Sequence, residues 1–159
     1  MLNLPVDPRT VAFDAVVRKL KSDPVLSRII KTWRASPFTV VPPSASELPM
    51  CVIGLKPGSI TVATPNSHAA SLIITLDIIV AGEDHRDIIN LYGSLETAID
   101  PYGDLAWLRD PVIETTKATL YGQPVIVQQG FNFIPLAEYN ALAGSAALSV
   151  TLKINPTRC

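Results

Sequence analysis

Alternation of apolar and polar positions is clearest in one stretch, Ser71 to Gly82 (Ser-Leu-Ile-Ile-Thr-Leu-Asp-Ile-Ile-Val-Ala-Gly). Leu72, Ile74, Leu76, Ile78 and Val80 fall at every second residue, so a strand here carries five apolar side chains on one face. The opposite face, Ile73, Thr75, Asp77 and Ile79, is mixed, with a carboxylate near its centre. A strand with one dry face and one that tolerates water belongs to a mostly antiparallel sheet covered on one side. The cover is encoded immediately afterwards. Gly82 breaks the strand, Asp84 can cap a helix, and Ile88, Leu91, Tyr92, Leu95 and Ile99 recur at helical spacing.

Upstream, Asp7-Pro8 predicts a first helix, because a capping carboxylate precedes a proline where the missing N–H costs nothing. Its apolar stripe is Phe13, Val16, Val17 and Leu20. Asp23-Pro24 repeats the signal and predicts a second, shorter helix running towards Trp33, with Val25, Leu26, Ile29, Ile30 and Trp33 as its buried side. Residues 36–49 hold Pro37, Pro42, Pro43 and Pro49, which exclude a regular helix and disfavour an inner strand. They are expected to form a surface connector or an arm reaching a neighbouring subunit. Met50 to Leu55 and Ser59 to Ala63 are predicted as two strands joined by a turn at Lys56-Pro57-Gly58. Beyond the helix ending near Ile99, a loop is expected to carry Trp107, Arg109 and Pro111, with a weak strand over Val112 to Leu120. Val125 to Val127 follows a turn, and Phe131 to Tyr139 resists assignment because Pro135 interrupts it. Leu148, Val150, Leu152 and Ile154 alternate with Ser149, Thr151 and Lys153, predicting a last strand over Ala147 to Ile154, entered through a loop at Gly144-Ser145-Ala146. The fold class is therefore α+β: a mostly antiparallel sheet covered on one face by helices, with an N-terminal helical segment. One domain is expected over 1–159, divided into helices (1–34), a proline-rich connector (35–49), and the sheet with its covering helix (50–159).

Length and composition agree with this picture. A chain of 159 residues suits one substantial core, and 48% hydrophobic residues with a net charge of −1 is an ordinary globular balance. No apolar run reaches the roughly 20 residues of a membrane-spanning helix, and the N-terminus carries no secretory-signal pattern. Charge adds one feature. Residues 1–34 hold seven basic residues against three acidic, a balance of +4, and the remainder holds six against eleven, a balance of −5. Opposite potentials can orient copies head to tail; the alternative is two solvated faces without a role. Candidate contacts are Arg18, Lys19, Lys21 and Arg28 on the basic side and Glu83, Asp84, Asp87 and Asp104 on the acidic side.

Catalytic chemistry is not encoded in any recognisable pattern. Cys51 and Cys159 are the only cysteines and His68 and His85 the only histidines, with no metal-ligand spacing among them. Gly54 to Gly58 lacks the Gly-Lys-Ser/Thr ending of a phosphate loop, and no nucleophile elbow occurs. Asp77 has no paired carboxylate nearby in sequence for acid–base work and is expected to be a polar position on the solvated sheet face. No cofactor or metal is expected. Basic helices without interleaved aromatics are weak support for nucleic-acid binding.

The order of elements carries further information. The start Asp7-Pro8 to Leu20, the strand Leu72 to Val80, the join Gly82-Glu-Asp-His-Arg-Asp into Ile88-Ile89-Asn90-Leu91, and Gly144-Ser145 before Leu148 to Ile154 together resemble the tail-terminator (tail-completion) proteins of tailed bacteriophages. The second N-terminal helix and the proline-rich 36–49 segment depart from that pattern. The resemblance implies a non-enzymatic virion protein, assembled in the host cytoplasm and located at the tail and neck. It would form a ring with itself, commonly a hexamer, that ends tail-tube polymerisation and contacts the tail-tube protein and a head-closure protein. DNA would pass through the lumen without specific binding. Thr75 and Asp77 are then candidates for the inner face. A head-closure or stopper protein, and a small oligomeric α/β enzyme, are the alternatives.

Overall fold

The computed structural model describes residues 5–34, 45–64, 67–82, 84–116, 119–120, 124–136 and 140–155. Two helices open the chain, α1 (Pro8–Ser22) and α2 (Pro24–Ile29). Both start as the Asp-Pro signals require. Asp7 accepts the Arg9 N–H, Asp23 accepts those of Val25 and Leu26 at 3.1 and 3.0 Å, and proline holds the first turn. After them come β1 (Thr32–Arg34), a 3₁₀ turn (Ala45–Glu47), β2 (Met50–Thr64) and β3 (Ser67–Ala81). Two further helices, α3 (His85–Ile99) and α4 (Ala106–Thr116), precede β4 (Thr119–Leu120), β5 (Val125–Leu136) and β6 (Ala141–Asn155).

The sheet is open and runs β1-β2-β3-β6, with both β5 and β4 on the outer side of β6. Among the described residues every pairing is antiparallel except the short β1–β2 contact. Side chains alternate across it. Leu72, Ile74, Leu76, Ile78 and Val80 of β3, with Leu142, Leu148, Val150, Leu152 and Ile154 of β6, form one core with Val11, Val16 and Leu20 of α1, Leu26 of α2, Ile88, Leu91 and Leu95 of α3, and Leu108 and Val112 of α4. All four helices bury their apolar stripes in this core, so the N-terminal helices and α3 cover the same sheet face. The other face has a small second cluster at one end, where Leu48, Met50, Val52, Ile79, Ala141 and Ala143 pack with Leu136. Beyond that end it is half-exposed at Ile73, Thr75, Asp77, Ser145, Ala147, Ser149 and Thr151.

Several sequence expectations need correction. Met50 to Ala63 is not two strands joined by a turn but a single strand, with a register shift between Pro57 and Ile60; among the described residues it pairs on one side only beyond Val52, and such an edge tolerates a proline. The second helix ends at Ile29, and Trp33 lies in β1, where Thr32–Arg34 pairs with Met50–Val52; Val25 and Ile29 stay exposed. Val112 belongs to α4. Asp104 accepts the Ala106 N–H at 3.0 Å, the Leu108 and Arg109 N–H groups reach the Leu105 carbonyl, and Leu105, Leu108 and Val112 supply the buried stripe. Pro111 forfeits one helical bond, and the β-branched Thr115 and Thr116 imitate a strand in sequence. Much of the unassigned Phe131 to Tyr139 stretch is strand β5, which absorbs Pro135 at the outside of the sheet and carries an irregularity between Gln129 and Phe131. The last strand begins at Ala141, so Gly144-Ser145-Ala146 lies within it, opposite Ile78, Asp77 and Leu76. Residues 35–44 of the connector lie outside the described residues; its end forms the 3₁₀ turn, where Glu47 pairs with Arg34 at 2.9 Å.

Burial ranks the expected cost of truncation. Leu76→Ala removes a fully buried side chain from the central strand and should cost about 2–5 kcal/mol in urea unfolding. Phe13 is only half-buried, so Phe13→Ala should fall below the roughly 3–5 kcal/mol of a fully buried aromatic. Equal losses at the two positions would contradict this ranking.

Candidate subunit interface

The candidate cations divide by environment. Arg18, Lys21 and Arg28 stand exposed on α1 and α2. Lys19 is half-buried, its ammonium 5.6 Å from the centre of the Trp107 ring on α4, a cation–π contact that joins the two helices. Arg9 is occupied: Nε and Nη2 donate to the two carboxylate oxygens of Asp7 at 3.0 and 2.8 Å. That side-chain hydrogen bonding, with the Arg9 backbone N–H, holds the Asp7 carboxyl below its ordinary value against a smaller opposing effect of burial.

The candidate acids are mostly helix caps. Asp84 accepts the Arg86 N–H at 2.9 Å and pairs with its guanidinium at 3.3 Å; the backbone hydrogen bond is the larger cause of its lowered pKa. Asp104 caps α4. Asp87 is exposed in the first turn of α3, beside a groove of about 400 Å³ bordered by Ile29, Leu48, Val80 and Leu91. Glu83 lies outside the described residues. The described basic and acidic candidates thus share the helical layer and do not occupy opposite faces of the sheet. The structure brings none of them into a mutual ion pair within the chain among the described residues.

Thr75 and Asp77 lie together on the sheet face away from the helices. Asp77 sits between Val52 and Ser145, and Thr75 between Gly54 and Ala147. Gly54 is demanded by this packing, since a Cβ there would collide with the Thr75 hydroxyl. The strand β6 contributes only small side chains to this face from Ala141 to Thr151, namely Ala141, Ala143, Ser145, Ala147, Ser149 and Thr151, which makes it flat.

Reactive groups are not assembled here. Cys51, on β2, is buried in the core under the helices, and burial, reinforced by the negative charge of Asp77, pushes its thiol up to about 12; a thiol so protonated is a poor nucleophile. The described residues contain no group of three His, Cys, Asp or Glu side chains placed to hold a metal ion. His85 packs edge-on against Phe133, with ring centroids 4.6 Å apart, and so fastens the start of α3 to β5. Sequence reasoning missed the Lys19–Trp107 contact and the exposed face of β5. A signal for the latter existed: residues 118–137 contain no charged side chain.

Neither a protein-family model nor a curated protein matches the chain. Among solved structures, a chain of the "virion of native gene transfer agent (GTA) particle" is similar at 12% identity and a TM-score of 0.47, over 89% of this chain and 93% of that one. The functional reading rests on the residues of the chain itself.

Two measurements check these assignments. Asp7→Ala should cost about 0.5–2 kcal/mol at pH 7 through loss of the α1 cap. Because the folded pKa of Asp7 is depressed from 3.8, its contribution is present above that unfolded value and is lost as pH falls through the lower folded one. The stability gap between wild type and variant should therefore close under acid conditions; a gap unchanged at pH 2 would contradict the role. In a Cys159→Ser background, a maleimide reagent at pH 8 should modify Cys51 only after denaturation, whereas rapid labelling of native protein would overturn its burial.

Proposed function

We propose that this chain is a structural virion subunit of a phage-like particle that assembles as a ring, commonly of six copies, at the head-proximal end of the tail. The ring ends tail-tube polymerisation and offers a surface to a head-closure protein, with residues 1–159 acting as one domain and without catalysis. The observation that carries the reading is a sheet whose described helices all pack on one face, with a second face that among the described residues is half-exposed and offers a surface for assembly. A sheet covered by the long helix α3 supports a terminator; a β-barrel with inserted loops would instead support a stopper. Arg18, Lys21 and Arg28 of one copy approach acidic residues of the next, with the exposed Asp87 as the leading partner. Lys19, Glu83, Asp84 and Asp104 are secondary, since Lys19, Asp84 and Asp104 already serve local contacts.

On this reading Thr75 and Asp77 contribute to the inner surface. A bore that lets DNA slide cannot be dense in cations, because each phosphate neutralised adds salt-sensitive affinity. Arg18, Lys21 and Arg28, carried by the helical layer, stay away from it.

The direct test of function mixes the purified protein with the tail-tube subunits of its particle and images the product. Tubes should stop growing and carry a ring at one end; unchanged elongation would overturn the proposal. The ring should bind duplex DNA no more tightly than roughly 10⁻⁴–10⁻⁶ M at physiological salt, and nanomolar binding in a filter assay would contradict the bore assignment. Raising ionic strength should slow assembly, since exposed charges are screened beyond about 10 Å at 0.1 M. Assembly rates indifferent to salt would remove the charge contact.

A further inference from the structure

Tyr102, in the turn between α3 and α4, is a large aromatic side chain left 98% exposed. It stands beside the start of β5, at a notch of about 410 Å³ that also takes in Pro101, Val125 and Val127. Val125 and Val127 are themselves 44 and 52% exposed. Exposed tyrosines of this kind are enriched at the centres of protein contacts, where the ring fills a pocket and the hydroxyl meets a polar group. The same chain carries a hole of matching chemistry. The groove of about 400 Å³ between α2 and α3 has apolar walls from Ile29, Leu48, Val80 and Leu91, with the exposed Asp87 and Asn90 as its polar border.

We propose that this groove receives Tyr102 of a second copy of the chain, with Val125 and Val127 packing beside it. Distance makes the contact intermolecular. Val127 pairs with Ser149 and Ser149 with Ile73, whereas the groove is bounded by Val80, seven residues further along β3, about 23 Å at the rise of a strand. A tyrosine side chain does not span that. Charge selects the same pairing. Tyr102 lies between the exposed Asp100 and Asp104, and residues 118–137 carry no charge. On the α2 side of the groove stand the exposed Arg28, next to Ile29, and Lys31, whose backbone N–H donates to the carbonyl of the groove residue Pro49 at 2.9 Å. Seating Tyr102 brings two carboxylates towards two cations. Asp87, on the opposite wall, then accepts a hydrogen bond from the Tyr102 hydroxyl. Knob and hole are separate surfaces of one subunit, so the contact is heterologous and can close into a ring. The inference rests on the self-assembling ring reading and names its contact.

Two full-length variants separate the knob from the hole. Tyr102→Ala removes an exposed side chain and leaves the groove intact. Asn90→Trp blocks the groove from its exposed border and leaves Tyr102 intact, with Ile29→Glu, on the 43% exposed α2 wall, as a second blocking variant; the one that keeps the wild-type unfolding midpoint is used. Each variant alone should lose the assembled species in light scattering. Mixed one to one, they should form a dimer of twice the 17.1 kDa subunit and nothing larger, because one working contact remains. A Tyr102→Ala protein that assembles as the wild type does, or a mixture without dimer where the wild type forms rings, would overturn the inference and leave the ring standing. A wild-type protein that is monomeric throughout would overturn both.

Discussion

The in-register pairing of β3 on both flanks is the constraint on which the structure depends. Met50–Thr64 pairs along one side and Ala141–Asn155 along the other, so the fifteen residues of β3 are held by strands as long as itself. Because side chains alternate with a period of two, a slip of one residue would turn Leu72, Ile74, Leu76, Ile78 and Val80 out of the core together. Burial of each such side chain stabilises by about 1.5–3 kcal/mol, so one register is strongly preferred. The helices follow from that surface. They are short, amphipathic and capped by Asp7, Asp23 and Asp84, and their apolar stripes meet the core already presented by β3 and β6.

The same alternation leaves the second face chemically different. A small apolar cluster closes it at the Leu48 end, and half-exposed small and polar side chains take over towards Thr75, Ser149 and Thr151. Such a flat face supplies little burial within the subunit. The two sheet edges also differ. Near β1, Arg34 and Glu47 form an ion pair, whereas β5 is uncharged, with exposed β-branched residues on the second face and Tyr102 close by. The account of assembly depends on these inequalities, because a head-to-tail contact needs two unlike surfaces on one subunit.

How much of this was legible in the sequence depends on whether local signals and tertiary context agreed. The central strand and α3 were readable because periodicity, the Gly82 break and the Asp84 cap all pointed the same way. The Asp-Pro starts located α1 and α2, since capping is local chemistry. α4 was hidden by Pro111, Thr115 and Thr116, whose weak helix propensity is outweighed by burial of Leu108 and Val112 against the core. β5 was hidden by Gly130 and Pro135, which are tolerable only because the strand lies at the outside of the sheet, a tertiary fact. The charge division, +4 over residues 1–34 and −5 over the remainder, is a property of the sequence. Its spatial meaning was not readable, because α1 and α2 fold onto the same layer as α3 and α4, and Asp84 and Asp104 are engaged in capping.

The central claim is that the chain assembles with itself through unlike surfaces. The most direct measurement is the mass and symmetry of the purified protein in solution, by light scattering and by imaging of single particles. The account predicts closed rings whose mass is a whole multiple of the 17.1 kDa subunit. A monodisperse 17.1 kDa species at every concentration and salt condition, with no rings in the images, would contradict it.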